Sequence, residues 1–158
     1  MTPIITMPAA PKPQMRQAIL EPLLAFNQQR SGVAYTFDPL AVLLSDPDTA
    51  AIIGGLWGGT GIGHLHIDLL FVPETLRGRG IGGEIIRSAE NEAVRRGCHG
   101  VWLDTFSFQA RGFYERLGYT VFGSIDDYPT GHSRFFQKKA LASTGEPACT
   151  SLSLQCIC

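Results

Sequence analysis

Between Gln14 and Arg30 the apolar residues Ile19, Leu20, Leu23, Leu24 and Phe26 recur at helical spacing, and Ser31-Gly32 supplies a stop. This pattern predicts an amphipathic helix, with Pro22 expected to kink it or mark a fresh start, because proline lacks the N–H that the helix ladder uses. Ahead of it, Pro3 to Met7 reads as a short strand, and Pro11 and Pro13 keep the following stretch out of helix. The pattern then changes to short apolar runs. Leu40 to Leu44 and Ala51 to Trp57 flank Ser45-Asp46-Pro47-Asp48, which is turn chemistry between hairpin strands. His64 to Val72 predicts a third strand, preceded by Gly58-Gly59-Thr60-Gly61 as a loop. Strict alternation along that strand puts His64, His66 and Asp68 on one face with Leu70 and Val72.

The second half changes character. Ile81, Ile85, Ala89 and Ala93 repeat at helical spacing among Glu84, Glu90, Glu92, Arg95 and Arg96, and Gly97 is the natural C-terminal cap. Gly100 to Thr105 reads as a buried strand, Phe108 to Leu117 as a short helix capped by Gly118, and Tyr119 to Ile125 and Ser133 to Lys139 as final strands. The aromatic residues Trp57, Trp102, Phe106, Phe108, Phe113, Phe122, Phe135 and Phe136 are expected mostly in the core, with Phe106 and Phe108 also placed to shape a pocket. Residues 1–141 form the expected domain. Residues 142–158 are Ser/Thr/Cys-rich without period and read as a loose tail.

Composition narrows the function classes. The chain has 158 residues, of which 17% are charged, and its 13 Lys+Arg against 14 Asp+Glu give a net charge of -1. That balance removes the basic field that nucleic-acid binding requires, but leaves room for a small phosphate-bearing ligand. No apolar run approaches the ~20 residues of a membrane span, and no basic-then-apolar leader opens the sequence, so a cytoplasmic protein is expected. Cys98 stands alone, while Cys149, Cys156 and Cys158 crowd the end with no His nearby. This is neither a disulfide framework nor a closed metal site, and no metal is expected.

Of 18 glycines, 10 fall between Gly54 and Gly83. The last of these follow the strand ending at Val72: Pro73-Glu74-Thr75-Leu76, then Arg77-Gly78-Arg79-Gly80-Ile81-Gly82-Gly83 opening the helix. Strand, glycine turn and helix N-terminus together make an anion site, because free N–H groups and the helix dipole point at one spot. Arg77 and Arg79 add charge at the rim. No Gly-Lys-Ser/Thr occurs, which excludes a P-loop. Gly78, Gly80 and Gly83 match the dinucleotide fingerprint literally, with Asp104 at the end of the next strand. Five residues separate Val72 from Gly78, however, and too little chain follows Asp104 for a second half of a doubly wound sheet.

Arg77, Gly80 and Gly82 at their spacing resemble instead the pyrophosphate-binding signature of the GNAT superfamily of N-acetyltransferases. Ala110, Phe113, Tyr114, Gly118 and Tyr119 look like that family's second signature, in its order and at its usual separation. The resemblance spans roughly residues 3–140. It implies an α+β single-domain GNAT-like fold, a mixed and mostly antiparallel sheet of about 6–7 strands with about 3–4 helices on both faces. It also implies acetyl transfer from acetyl-CoA to a primary amine, expected to be that of a small molecule, by direct attack in a ternary complex. The alternatives are a protein lysine or N-terminal acetyltransferase and a non-catalytic acyl-CoA-binding module. A homodimer is compatible with the family but not required.

The same resemblance implies that the backbone of Leu70, Phe71 and Val72 pairs with the cofactor's pantetheine arm like an added strand. Residues Arg77, Gly78, Arg79, Gly80, Ile81, Gly82 and Gly83 would hold its pyrophosphate. Ser107 stands where many members carry an Asn that contacts the arm. The third strand is expected to splay from Val101 to Thr105, opening a cleft for the thioester. Tyr114 matches the position whose hydroxyl lies beside the sulfur, and a phenol with a pKa near ~10 is a proton donor at neutral pH. For the base, His66 titrates near neutrality and Asp68 can hold it or position a water. His132 and the pair Asp126-Asp127 are further candidates for the acceptor side, or else an ordinary solvated turn.

Overall fold

The computed structural model describes residues 3–142, and the chain divides into two compact units between Thr36 and Phe37. The first unit holds helix α1 (Pro13–Ser31), which begins on proline, where no N–H is needed, and ends at Gly32 in the left-handed conformation. Pro22 lies inside this helix and does not end it. The strand expected at Pro3 to Met7 does not form. Those residues are irregular, with Ile4, Ile5 and Met7 almost fully exposed, and among the described residues of this unit no second strand takes their backbone hydrogen bonds.

The second unit is α+β. Its strands are β1 (Asp38–Ser45), β2 (Ile52–Gly61), β3 (His64–Phe71), β4 (Gly100–Phe106), β5 (Thr120–Asp126) and β6 (Ser133–Ala140), with helices α2 (Ile81–Arg95) and α3 (Arg111–Arg116). They form one six-stranded sheet in the order β1-β2-β3-β4-β6-β5. Only β3 and β4 pair in parallel, and α2 supplies the crossover that a parallel pair needs. The β1–β2 turn forms as its residues predict. The Asp46 carboxylate accepts the N–H groups of Thr49 and Asp48 and the Thr49 hydroxyl, and these bonds hold its pKa below the usual range.

Gly58 to Gly61 are strand, not the expected loop, and the chain reverses at Ile62-Gly63. Glycine is needed there for close approach. A Cβ on Gly58 would lie 2.2 Å from the His66 carbonyl oxygen, and one on Gly59 2.3 Å from the Phe37 ring. Helix α3 is shorter than expected, because the Gln109 side chain folds back to accept the Phe106 N–H at 2.8 Å and holds residues 107–110 as a turn. Leu40, Leu56, Leu65, Ile67, Val101 and Leu103 form the core of the sheet with Ile85, Ile86, Ala89 and Ala93 of α2. Beside them, the Tyr119 hydroxyl donates to Glu90 at 2.8 Å and Lys139 Nζ donates to the same carboxylate at 2.7 and 2.9 Å. Cys98 is buried and its thiol pKa is raised by burial, so it is an unreactive core residue. The expected tail lies, from residue 143 on, outside the described residues, and its three cysteines with it.

Candidate active site

Strands β3 and β4 pair at His64↔Gly100, Leu65↔Val101, His66↔Trp102 and Ile67↔Leu103, and there the pairing stops although both strands continue. The expected splay is therefore present. Beyond Ile67 the β4-facing edge of β3 carries backbone donors and acceptors with no partner strand, at the spacing an extended amide-bearing chain would match. Leu70 is half-buried against the core and Phe71 is exposed. The Val72 carbonyl already accepts from Arg77 Nε at 2.9 Å, which ties the end of the strand to the glycine turn.

After a short 3-10 turn at Glu74–Leu76 the chain passes through Gly78 at φ +75° and Gly80 at φ +83°, and Gly80 is the N-cap of α2 with no side chain capping it. The first-turn N–H groups of α2 are thus open to an anion. A Cβ at Gly78 or Gly80 would meet no protein atom within 4 Å, and the positive φ of both residues is the left-handed conformation that favours glycine. Gly82 has a different task, since its Cβ would lie 3.1 Å from Phe113 and glycine lets α2 approach α3 closely. Gly83 is buried, Ile81 packs against the core, and Arg79 is exposed beside the turn.

The close approach at Gly82 seats Tyr114. This residue of α3 is 7% exposed, edge-on to Phe113 and Tyr119, and part of the core on the α2 side of the sheet. Burial first, and the charge of Asp104 second, push its phenol up to about 12, so it stays protonated at neutral pH.

The expected face of His66 is corrected by a β-bulge. Trp57 pairs with Leu69 while Gly58 pairs with Ile67, which leaves Asp68 as an extra, exposed residue of β3. Side-chain alternation flips across it. Leu65 and Ile67 before the bulge, and Leu70 and Val72 after it, all turn to the core. His66 therefore lies on the opposite face from Leu70 and Val72, where its ring stacks on Trp102 at 3.8 Å and 17°. Burial lowers its pKa, with Asp68 and Asp104 acting in the other direction, so the imidazole is neutral at neutral pH. Tyr114 and His66 thus sit on the two faces of the sheet at the strands that splay.

Several outer residues are committed to the β5–β6 hairpin. The Ser107 hydroxyl accepts the Ser133 N–H at 3.2 Å and bonds His132 Nδ1 at 3.2 Å. Asp126 accepts from the Ser133 hydroxyl and Asp127 from the Gly131 N–H. Phe106 and Phe108 stack at 5.1 Å, with His132 edge-on to Phe108. Against expectation, Trp57, Phe108 and Phe122 are about half exposed, because their strand or loop positions face away from the helix-covered side. Sequence reasoning met Asp104 only as a dinucleotide acid. The structure places it on β4 with Arg134 Nε at 2.6 Å, and the available signal was a lone carboxylate within an otherwise apolar buried run. Among the described residues no three His, Cys, Asp or Glu side chains group as a metal site, and no helix is long and apolar enough to cross a membrane.

A sheet that opens between β3 and β4, with an uncapped helix N-terminus beyond it, is the arrangement the GNAT resemblance implies, and comparison with known proteins agrees. Residues 12–119 match the family model described as the acetyltransferase (GNAT) family. The acetyltransferase Atu2258 of Agrobacterium fabrum is 40% identical over 120 residues, covering 76% of this chain and 86% of that protein. Blasticidin-S acetyltransferase of Streptomyces morookaense is 46% identical over 81 residues, 51% of this chain and 60% of that protein. A solved structure of an Agrobacterium tumefaciens protein assigned as an acetyltransferase superposes with a TM-score of 0.79 at 35% identity, covering 87% of this chain and 98% of the other. The chain belongs to the GNAT family and is an acyltransferase.

Proposed function

We propose that this protein transfers the acetyl group of acetyl-CoA to the primary amine of a small molecule, by direct attack in a ternary complex. The observation that carries the reading is the halt of β3–β4 pairing after Ile67↔Leu103, with a protonated phenol on one face of the sheet and a neutral imidazole on the other. Similarity over half of the chain to a protein named for blasticidin-S supports a small-molecule acceptor over a protein one.

The residues present fit the cosubstrate. The uncapped first turn of α2 and residues 77–83 would hold the pyrophosphate, and the unpaired backbone of Leu70 and Phe71 the amide-bearing arm. Ser107, at the position expected to contact that arm, also pins the β5–β6 hairpin through Ser133 and His132. When bound, the thioester supplies an electrophilic acetyl carbonyl at the wedge. His66 takes a proton from the attacking amine, and Asp68 in the adjacent bulge favours the imidazolium that results. Tyr114, on the other face, gives its proton to the departing sulfur. Acid and base lie on opposite faces, so neither neutralises the other before the acceptor arrives. Cys98 takes no part, being buried in the core with a raised pKa.

The test is thiol release from acetyl-CoA across a panel of small amines and of peptides with free lysine or N-terminal amines. Turnover with small amines, lost in Tyr114→Phe, is the expected result. Turnover confined to peptides would overturn the acceptor class, CoA binding with no thiol release would make this a binding module, and failure to bind CoA would overturn the reading entirely.

A further inference from the structure

Asp104 is the first residue of β4 beyond the last β3–β4 pair, which puts it at the apex of the wedge. Alternation along β4 buries Val101, Leu103 and Thr105 on the helix side and sends Trp102, Asp104 and Phe106 to the face that carries His66. Only one of its carboxylate oxygens is engaged. Oδ2 accepts from Arg134 Nε at 2.6 Å, while Oδ1 bonds no other described residue. An ionised carboxylate accepts at about four lone-pair sites, so capacity remains. Arg134 is itself held, with its guanidinium 5.3 Å from the Phe106 ring centroid, 5.8 Å from Tyr128 and 5.7 Å from Phe136. Other charged or titratable groups around this face are His64, His66, Asp68, Tyr128 and Lys138, of which Tyr128 lies against Arg134 and Lys138 is paired across from Trp102.

We propose that Asp104, fixed in place by Arg134, receives the ammonium group of the incoming acceptor and presents it to His66. The inference rests on the acetyl transfer proposed above and adds a binding residue that the motifs do not contain. An amine reaches the protein mostly as its ammonium ion, and must be held where one proton can leave and the lone pair can face the carbonyl. Asp104 supplies the holding charge and His66 removes the proton. The carboxylate is placed to serve both partners, because its charge reaches His66 on one face and Tyr114 on the other. Arg134 acts through Asp104, as a positioning residue.

The experiment compares Asp104→Asn, Asp104→Glu and the double variant Asp104→Asn/Arg134→Gln with the unaltered chain, using whichever primary amine of the panel turns over fastest. Losing one charge-assisted bond is expected to raise KM for the amine about tenfold or more, while the Kd for CoA stays constant. Asp104→Glu recovers part of the loss. The double variant is the discriminating one, because it leaves no unpaired cation. A merely structural ion pair predicts that KM returns towards the unaltered value, whereas an ammonium anchor predicts that it stays high. Binding of the same amine to the CoA-free protein, followed by NMR line broadening, is expected to weaken in the same ratio. Unchanged amine KM in Asp104→Asn, or recovery in the double variant, overturns the inference and leaves the proposed function standing. Absence of transfer by the unaltered chain overturns both.

Discussion

Burial moves the pKa values of Tyr114 and His66 in opposite directions for one reason, that it disfavours the charged form of each. Each is kept neutral, the phenol as a donor and the imidazole as an acceptor. Replacing Tyr114 by Phe removes the donor without opening a cavity. Turnover is expected to fall on the order of 100-fold with CoA affinity unchanged, as read by thiol release and isothermal titration. For His66 the sign follows from its lowered pKa. The neutral base persists to lower pH than in a free histidine, so kcat/KM declines only as pH drops through that lowered value. Stability runs the same way. The unfolded chain binds the extra proton first, so this contribution is complete above about 6.5 and is lost as pH falls through the folded value. In His66→Ala the acidic limb of the kcat/KM profile should vanish, and an unaltered limb would assign the base elsewhere.

Two elements turn these residues into a site: the bulge in β3 and the glycine turn before α2. The bulge depends on Gly58, whose missing side chain leaves the His66 carbonyl room at 2.2 Å. Gly58→Ala forces backbone apart at that point. It is expected to cost on the order of 1–3 kcal/mol in denaturant unfolding and to reduce kcat at 25 °C more than the folded fraction alone explains, since His66 moves with the bulge. Gly80 sits at φ +83° with open space around it, so Gly80→Ala meets no clash but carries a left-handed backbone that costs an L residue about 1–2 kcal/mol. Relaxing that strain re-aims the N–H groups of the first turn. KM for acetyl-CoA should rise while KM for the amine stays, and a matching rise in both would place the turn outside the cofactor's path.

At the scale of the whole molecule, the buried Glu90 carboxylate joins α2 to β6 through Lys139 and to Tyr119 just before β5. Glu90→Ala leaves Lys139 without its partner, and because that lysine keeps partial access to water the loss is expected to be roughly 2–3 kcal/mol by chemical denaturation, with Glu90→Gln losing less. Much of this architecture was legible beforehand for a physical reason. Turn chemistry at Asp46, helical period and glycine stop in α2, and the motif around Tyr114 are encoded within a few residues of chain, where backbone sterics and side-chain spacing decide. The rest depended on partners distant in sequence. The sequence predicts unbroken alternation along His64 to Val72, because a bulge exists only relative to the β2 strand it pairs with. The placement of Asp104 is not legible in the sequence, since it depends on Arg134 thirty residues on and on the place where β3 leaves β4. The sequence alone therefore determined the class of fold, the glycine turn that opens α2 and the motif that carries Tyr114, all of them local in the chain. Only the tertiary structure decided which face each polar group occupies, because strand register and pairing length are set by contacts between segments that no local pattern contains.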